Sequence, residues 1–172
     1  MRPPRPSKFG EPISARRRSL IAAAVVMAGS LLPVLVPLIS VVPYLPPLGL
    51  LFLLAWRQRS PDILPVWAGA PLGLWDDLLS GHPLGSATSL WTLILIGIDL
   101  VDNRLVWRDF WQDWLVAGGA VAGFLIGARL AGTPLVAHVD TVLMIQIAIA
   151  AALYPLAAAT CGWVDAMGQQ RR

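Results

Sequence analysis

From Leu20 to Trp56, 37 consecutive positions, the chain carries no charged side chain. One helix of that length would measure about 55 Å at 1.5 Å per residue, nearly twice the roughly 30 Å hydrocarbon core of a bilayer. The run therefore has to turn on itself. Val42-Pro43-Tyr44-Leu45-Pro46-Pro47 marks the turn, because three prolines so close together cannot continue a helix. A hairpin of two apolar segments follows, the second of them short.

Composition extends the same reading to the whole chain. Of 172 residues, 56% are hydrophobic and 13% charged, against about 25% charged in soluble domains. Mean hydropathy is +0.67. The expectation is an all-α polytopic membrane protein with six transmembrane helices. The formal charge of +3 does not point to nucleic acid, since Lys and Arg lie in short loops rather than on one patch. A single cysteine, Cys161, cannot form a disulfide within the chain, and with two histidines it makes no metal cluster. No cofactor is expected.

Residues 1–18 are basic and proline-rich and read as a disordered cytoplasmic tail. A basic start before an apolar run also resembles a signal peptide, but Leu20–Ser40 is about twice the usual length of that apolar region. It reads as an uncleaved first span, kinked by Pro33 and Pro37. The second span runs from Pro47 to Trp56. Ser60-Pro61-Asp62 looks like a helix start and opens a third span ending at Leu79. Gly85–Val101, Leu115–Leu130 and Val139–Trp163 are the fourth, fifth and sixth spans. Gly132-Thr133-Pro134 is a turn. The membrane domain covers 19–164, and 165–172 is a second short tail.

Charge orients these spans. With the N-terminus inside, the inner segments contain Arg2, Arg5, Lys8, Arg16, Arg17, Arg18, Arg57, Arg59, Arg104, Arg108, Arg171 and Arg172. Of the 13 basic residues only Arg129 is left outside. The positive-inside rule then holds at every loop, with both termini cytoplasmic.

Several clusters stand out from this apolar background. Gly73-Leu-Trp-Asp76-Asp77-Leu-Leu-Ser-Gly81-His-Pro-Leu84-Gly85 places two carboxylates and three glycines at the outer end of the third span and the loop beyond it. Adjacent helical residues diverge by about 100°, so Asp76 and Asp77 face different surroundings. A structural ion pair, helix-end hydrogen bonding and ligand binding are all open to them; Arg129 and His138 should lie at the same level, and either could pair with one carboxylate. Gly81 and Gly85 permit a tight turn that Pro83 stiffens. Asp77 is expected to order that turn by accepting hydrogen bonds, leaving a fixed outer surface. Gly119, Gly123 and Gly127 line one face of the fifth span and suit close helix packing, inside the bundle or against a partner. Trp107, Phe110, Trp111 and Trp114 recur at i, i+3, i+4 and i+7 and predict an interfacial helix, acting as a membrane anchor or a contact surface. Asp99 is expected to reach cytoplasmic water. No phosphate loop, HExxH helix or G-x-S-x-G elbow is present, and no catalytic role is expected.

The string Gly73-x3-Asp77-Leu78-Leu79-Ser80-Gly81-x2-Leu84-Gly85 resembles the MreD family of small membrane subunits from the bacterial rod-shape complex. So does the lead-in Arg59-Ser60-Pro61-Asp62-Ile63-Leu64-Pro65. Asp99, Asp102 and Arg104, with Phe110-Trp111-x-Asp113-Trp114, resemble versions from alphaproteobacteria. Asp76 is a departure from the family pattern. The resemblance implies a six-helix fold like the substrate-binding subunits of energy-coupling-factor (ECF) vitamin transporters. It implies an inner-membrane location, binding to MreC, and association with MreB and the transglycosylase–transpeptidase pair that builds peptidoglycan. Gly73, Asp77, Gly81, Leu84 and Gly85 are the residues it singles out. A vitamin-binding subunit of such a transporter is the alternative reading.

Overall fold

The computed structural model describes residues 15–35, 46–81, 83–102, 110–132 and 140–170. Outside them fall the N-terminal tail up to residue 14, most of the proline-rich turn, His82, Trp107 with Arg104 and Arg108, the Thr133-Pro134 turn with His138, and the last two arginines.

The described residues form six α-helices and one 3-10 turn: α1 (Ala15–Leu35), α2 (Leu48–Arg59), the turn Val66–Ala68, α3 (Gly69–Ser80), α4 (Ser86–Asp102), α5 (Phe110–Gly132) and α6 (Asp140–Gln170). Two of them, over Arg16–Leu35 and Thr141–Met167, are long and apolar enough to cross a membrane.

α2 is the centre of the bundle. Its Leu50, Leu51, Leu53, Leu54, Ala55 and Trp56 are all buried, so it has no solvent face. It packs on α1, α5 and α6, while α3 joins α1 to α4, and α4 joins α3 to α5. Glycine sets the approach to α1: a Cβ on Gly29 would lie 2.5 Å from the Phe52 ring and 3.3 Å from the Gly49 Cα. On another side of Gly49 stands the fully buried Trp91 of α4.

The helix expected from Ser60-Pro61-Asp62 does not start there. Ser60 instead closes α2, donating its N–H to Trp56 O (2.9 Å), and 61–65 is irregular chain before the 3-10 turn. Pro61 and Asp62 are exposed, but the stretch then packs inward, with Ile63 and Leu64 buried. Buried irregular backbone needs partners for its carbonyls. Arg57 provides them: its guanidinium donates to Pro61 O (2.6 Å) and Leu64 O (3.2 Å), and pairs with Asp99 at 2.5 Å. The Asp99 side chain is 45% exposed, while Arg57 is buried.

Two more contacts tie the same end of the bundle. Arg18 of α1 makes a two-pronged ion pair with Asp165 of α6 (3.1 and 2.9 Å). Tyr154 of α6 donates to Gln58 of α2. Thus the start of α1, the ends of α2 and α4 and the second half of α6, from about Tyr154 to Asp165, meet at one end. α6 also runs past the expected limit at Trp163 to Gln170.

Replacing Arg57 by Ala removes three bonds at once and leaves the carbonyls of Pro61 and of buried Leu64 without that donor. The expected loss of stability is about 3 kcal/mol. Asp99→Asn keeps the carbonyl bonds and should lose less. Thermal unfolding of the purified variants in detergent checks the order; equal stability of Arg57→Ala and the parent would contradict it.

Candidate functional site: a carboxylate-capped turn

The opposite end is built around Asp77. α3 stops at Gly81, whose φ of 67° is the left-handed conformation that glycine adopts without a Cβ clash. Gly85 also has positive φ, 99°. The chain thereby reverses within a few residues and starts α4 at Ser86.

The first N–H groups of α4 have no carbonyl within their own helix. A side chain at the residue just before the helix usually accepts from them. Here that residue is Gly85, which has none. The Asp77 carboxylate, reaching across from α3, takes the place of the missing cap. It accepts from the N–H groups of Gly85 (3.0 Å), Ala87 (2.8 Å) and Thr88 (3.1 Å), and from the hydroxyls of Ser86 (3.0 Å) and Thr88 (2.9 Å). Five donors use both oxygens of a side chain only 1% exposed. The positive end of the helix dipole adds to the attraction.

This geometry demands that α3 and α4 come very close, and Gly73 allows it. A Cβ there would lie 2.7 Å from Ala87 O and from the Thr88 Cα. One turn earlier, a Cβ on Gly69 would meet the Thr92 backbone at 3.1 Å. Gly69, Gly73 and Asp77 therefore form one stripe along α3 that lies against Thr92, Thr88 and Ala87 of α4. The role of Gly69 was not recognised in the sequence, although its spacing of four from Gly73 carried the signal.

The small-residue stripe that was recognised behaves differently. Gly119 and Gly123 have open space where a Cβ would be, and both are exposed. Only Gly127 is covered, by Leu90 of α4. Packing inside the bundle therefore applies to Gly127 and not to the other two, because α5 turns that part of its surface away from its neighbours. The aromatic connector is also reassigned. Phe110 opens α5, and Trp111 and Trp114 belong to its first turns rather than to a separate interfacial helix. Trp111 is exposed and stacks edge-on against Trp114 (5.7 Å), whose indole N–H donates to Ala151 O of α6 (2.8 Å).

Asp76 does point elsewhere from Asp77. It is buried and borders a cavity of about 620 Å³. Around the capped turn the exposed side chains include Leu78, Ser80, Ser89 and, most of all, Leu84 at 72% exposure. Among the described residues no group of three or more His, Cys, Asp or Glu side chains is placed to hold a metal. The carboxylate of the capped turn is spent on the start of α4, and Leu84 is the most exposed large apolar side chain on the turn.

Comparison with protein-family models, with curated proteins and with solved structures finds no match for this chain.

The two glycine stripes give opposite expectations. Gly73→Ala pushes a methyl group into the backbone of α4 and should destabilise by roughly 1–3 kcal/mol. Asp77→Ala strips three backbone N–H groups of their acceptor and should cost about 2–4 kcal/mol. Gly123→Ala meets nothing and should be neutral or slightly stabilising through helix propensity. Melting temperatures in one detergent test this; a Gly123→Ala loss as large as that of Gly73→Ala would overturn the assignment.

Proposed function

We propose that this chain is a non-catalytic, six-span membrane subunit of the MreD type. It would join MreC in the inner membrane and help organise the MreB-linked peptidoglycan synthases that elongate the cell. The observation that carries the reading is the capped turn. The residues behind the MreD resemblance, Gly73, Asp77, Gly81 and Gly85, are the ones that build it, each with a distinct physical task. They hold Leu84 outward on a fixed loop, a suitable contact for an apolar partner segment.

The six-span topology has physical support as well. α2 and α3, of 12 residues each, are only about 18 Å long and cannot cross a bilayer as helices alone. Each crosses with the help of adjoining chain. For α3 this is the 61–65 stretch, buried at Ile63 and Leu64, whose Pro61 and Leu64 carbonyls Arg57 serves, the kind of irregular backbone that a membrane tolerates where protein satisfies it. The segments read as cytoplasmic from their arginines meet at one end of the bundle through Arg18–Asp165 and Arg57–Asp99.

Affinity purification from native membranes tests the assignment. MreC and wall-elongation enzymes are expected to come with the protein, and Leu84→Arg should reduce their recovery severalfold while the melting temperature stays within a few degrees of the parent. A reporter fused after Arg172 should be cytoplasmic. Recovery of paired ATPases and a coupling membrane subunit in place of MreC would move the protein to vitamin uptake.

A further inference from the structure

Arg18, Arg57 and Arg59 stand where α1, α2 and α6 meet. Arg18 is paired with Asp165 and Arg57 with Asp99. Arg59, the last residue of α2, is different. Its guanidinium lies against α6 at Gly162, where a Cβ would stand 3.2 Å from Nη1 and 3.3 Å from Cζ. Glycine there leaves the room that the guanidinium occupies. Arg59 is exposed, and it makes no hydrogen bond or ion pair among the described residues. Asp62, three residues on, is exposed as well and does not pair with it.

The surroundings are those of a membrane interface. α6 is long and apolar enough to cross a bilayer. On the two turns before Gly162 its Pro155, Leu156 and Ala159 are exposed, and so is Trp163 beside it. Exposed Trp67 and Trp111 belong to the same end of the bundle, and tryptophan concentrates at the level of lipid headgroups. A guanidinium is weakly hydrated, and its planar fork of N–H donors matches the oxygens of a phosphate. Arg16 and Arg17, exposed at the start of α1, add positive potential at this end, which favours a headgroup of net negative charge.

The geometry points to a headgroup site for an anionic phospholipid: its phosphodiester on the Arg59 guanidinium, its acyl chain along Leu156 and Ala159 of α6, and Trp163 at the boundary between the two. Gly162 is the seat that holds the guanidinium in place, so the site is specific to this junction of α2 and α6 rather than a property of every arginine at this end. It rests on α6 being a membrane span, as in the six-span reading, and not on any protein partner.

The test uses the full chain in a neutral detergent, with dioleoyl phosphatidylglycerol as probe and dioleoyl phosphatidylcholine as its zwitterionic counterpart. Phosphatidylglycerol is expected to raise the melting temperature in a saturable way, and phosphatidylcholine to do much less. Arg59→Gln should remove most of the difference between the two lipids. Gly162→Leu keeps every charge but displaces the guanidinium, and should raise the half-saturating lipid concentration severalfold. Arg16→Gln removes an equal charge away from the seat and should keep most of the effect. Soluble glycerophosphate should give no shift. Equal shifts from the two lipids, no shift from phosphatidylglycerol, a full effect in Arg59→Gln or Gly162→Leu, or a loss in Arg16→Gln as large as in Arg59→Gln would overturn the site, and a shift from glycerophosphate matching that of the lipid would overturn the lipid as its ligand. Binding in detergent depends neither on MreC nor on which end faces the cytoplasm, so failure of those assignments is read separately.

Discussion

A helix buried on every side is a demanding thing to place at the centre of a small bundle. α2 has no face left for solvent, so its neighbours must cover it completely, and its own ends must be dealt with inside the structure. At its C-terminal end the chain leaves α2 and runs through 61–65 as irregular backbone. That route is possible only because Arg57, the last-turn residue of α2, folds back on the carbonyls of Pro61 and Leu64. The same guanidinium reaches Asp99 and so attaches α4. One side chain thus closes the end of the central helix and fixes where the next pair of helices can stand.

The α3–α4 pair repeats this logic at the other end. Its close crossing requires Gly69 and Gly73, since any side chain would strike the α4 backbone. Close crossing brings Asp77 against the start of α4, and Asp77 then supplies the cap that Gly85 lacks. Neither half works alone. A larger residue at Gly73 would move the carboxylate out of hydrogen-bond range, and without the carboxylate the N–H groups that the crossing buries would have no acceptor.

Much of this could be read from the sequence, for identifiable reasons. The uncharged run and the proline cluster led to a hairpin with a short second member, because charge and proline act locally. The glycines at 81 and 85 led to a tight turn, and both have positive φ. The divergence of Asp76 and Asp77 follows from helix geometry alone. What could not be read was tertiary. Ser60-Pro61-Asp62 carries every local mark of a helix start, yet its serine closes the preceding helix, because the Arg57 bonds stabilise an irregular path that no local signal encodes. Likewise Gly69-x3-Gly73 and Gly119-x3-Gly123 look alike as sequence. Only the arrangement of helices decides that the first is pressed against a neighbour and the second faces outward.

Three charged residues are buried among those described: Arg57, Asp76 and Asp77. A buried charge is costly and persists where it does something that an apolar residue cannot. Arg57 serves the carbonyls of a broken helical path, and Asp77 serves the amides of a helix that lacks its own cap. Both substitute for hydrogen bonds missing where regular structure is interrupted. Asp76, one residue before Asp77 on α3, is likewise buried. Two of the three buried charges thus stand where regular structure breaks, and each holds its break together.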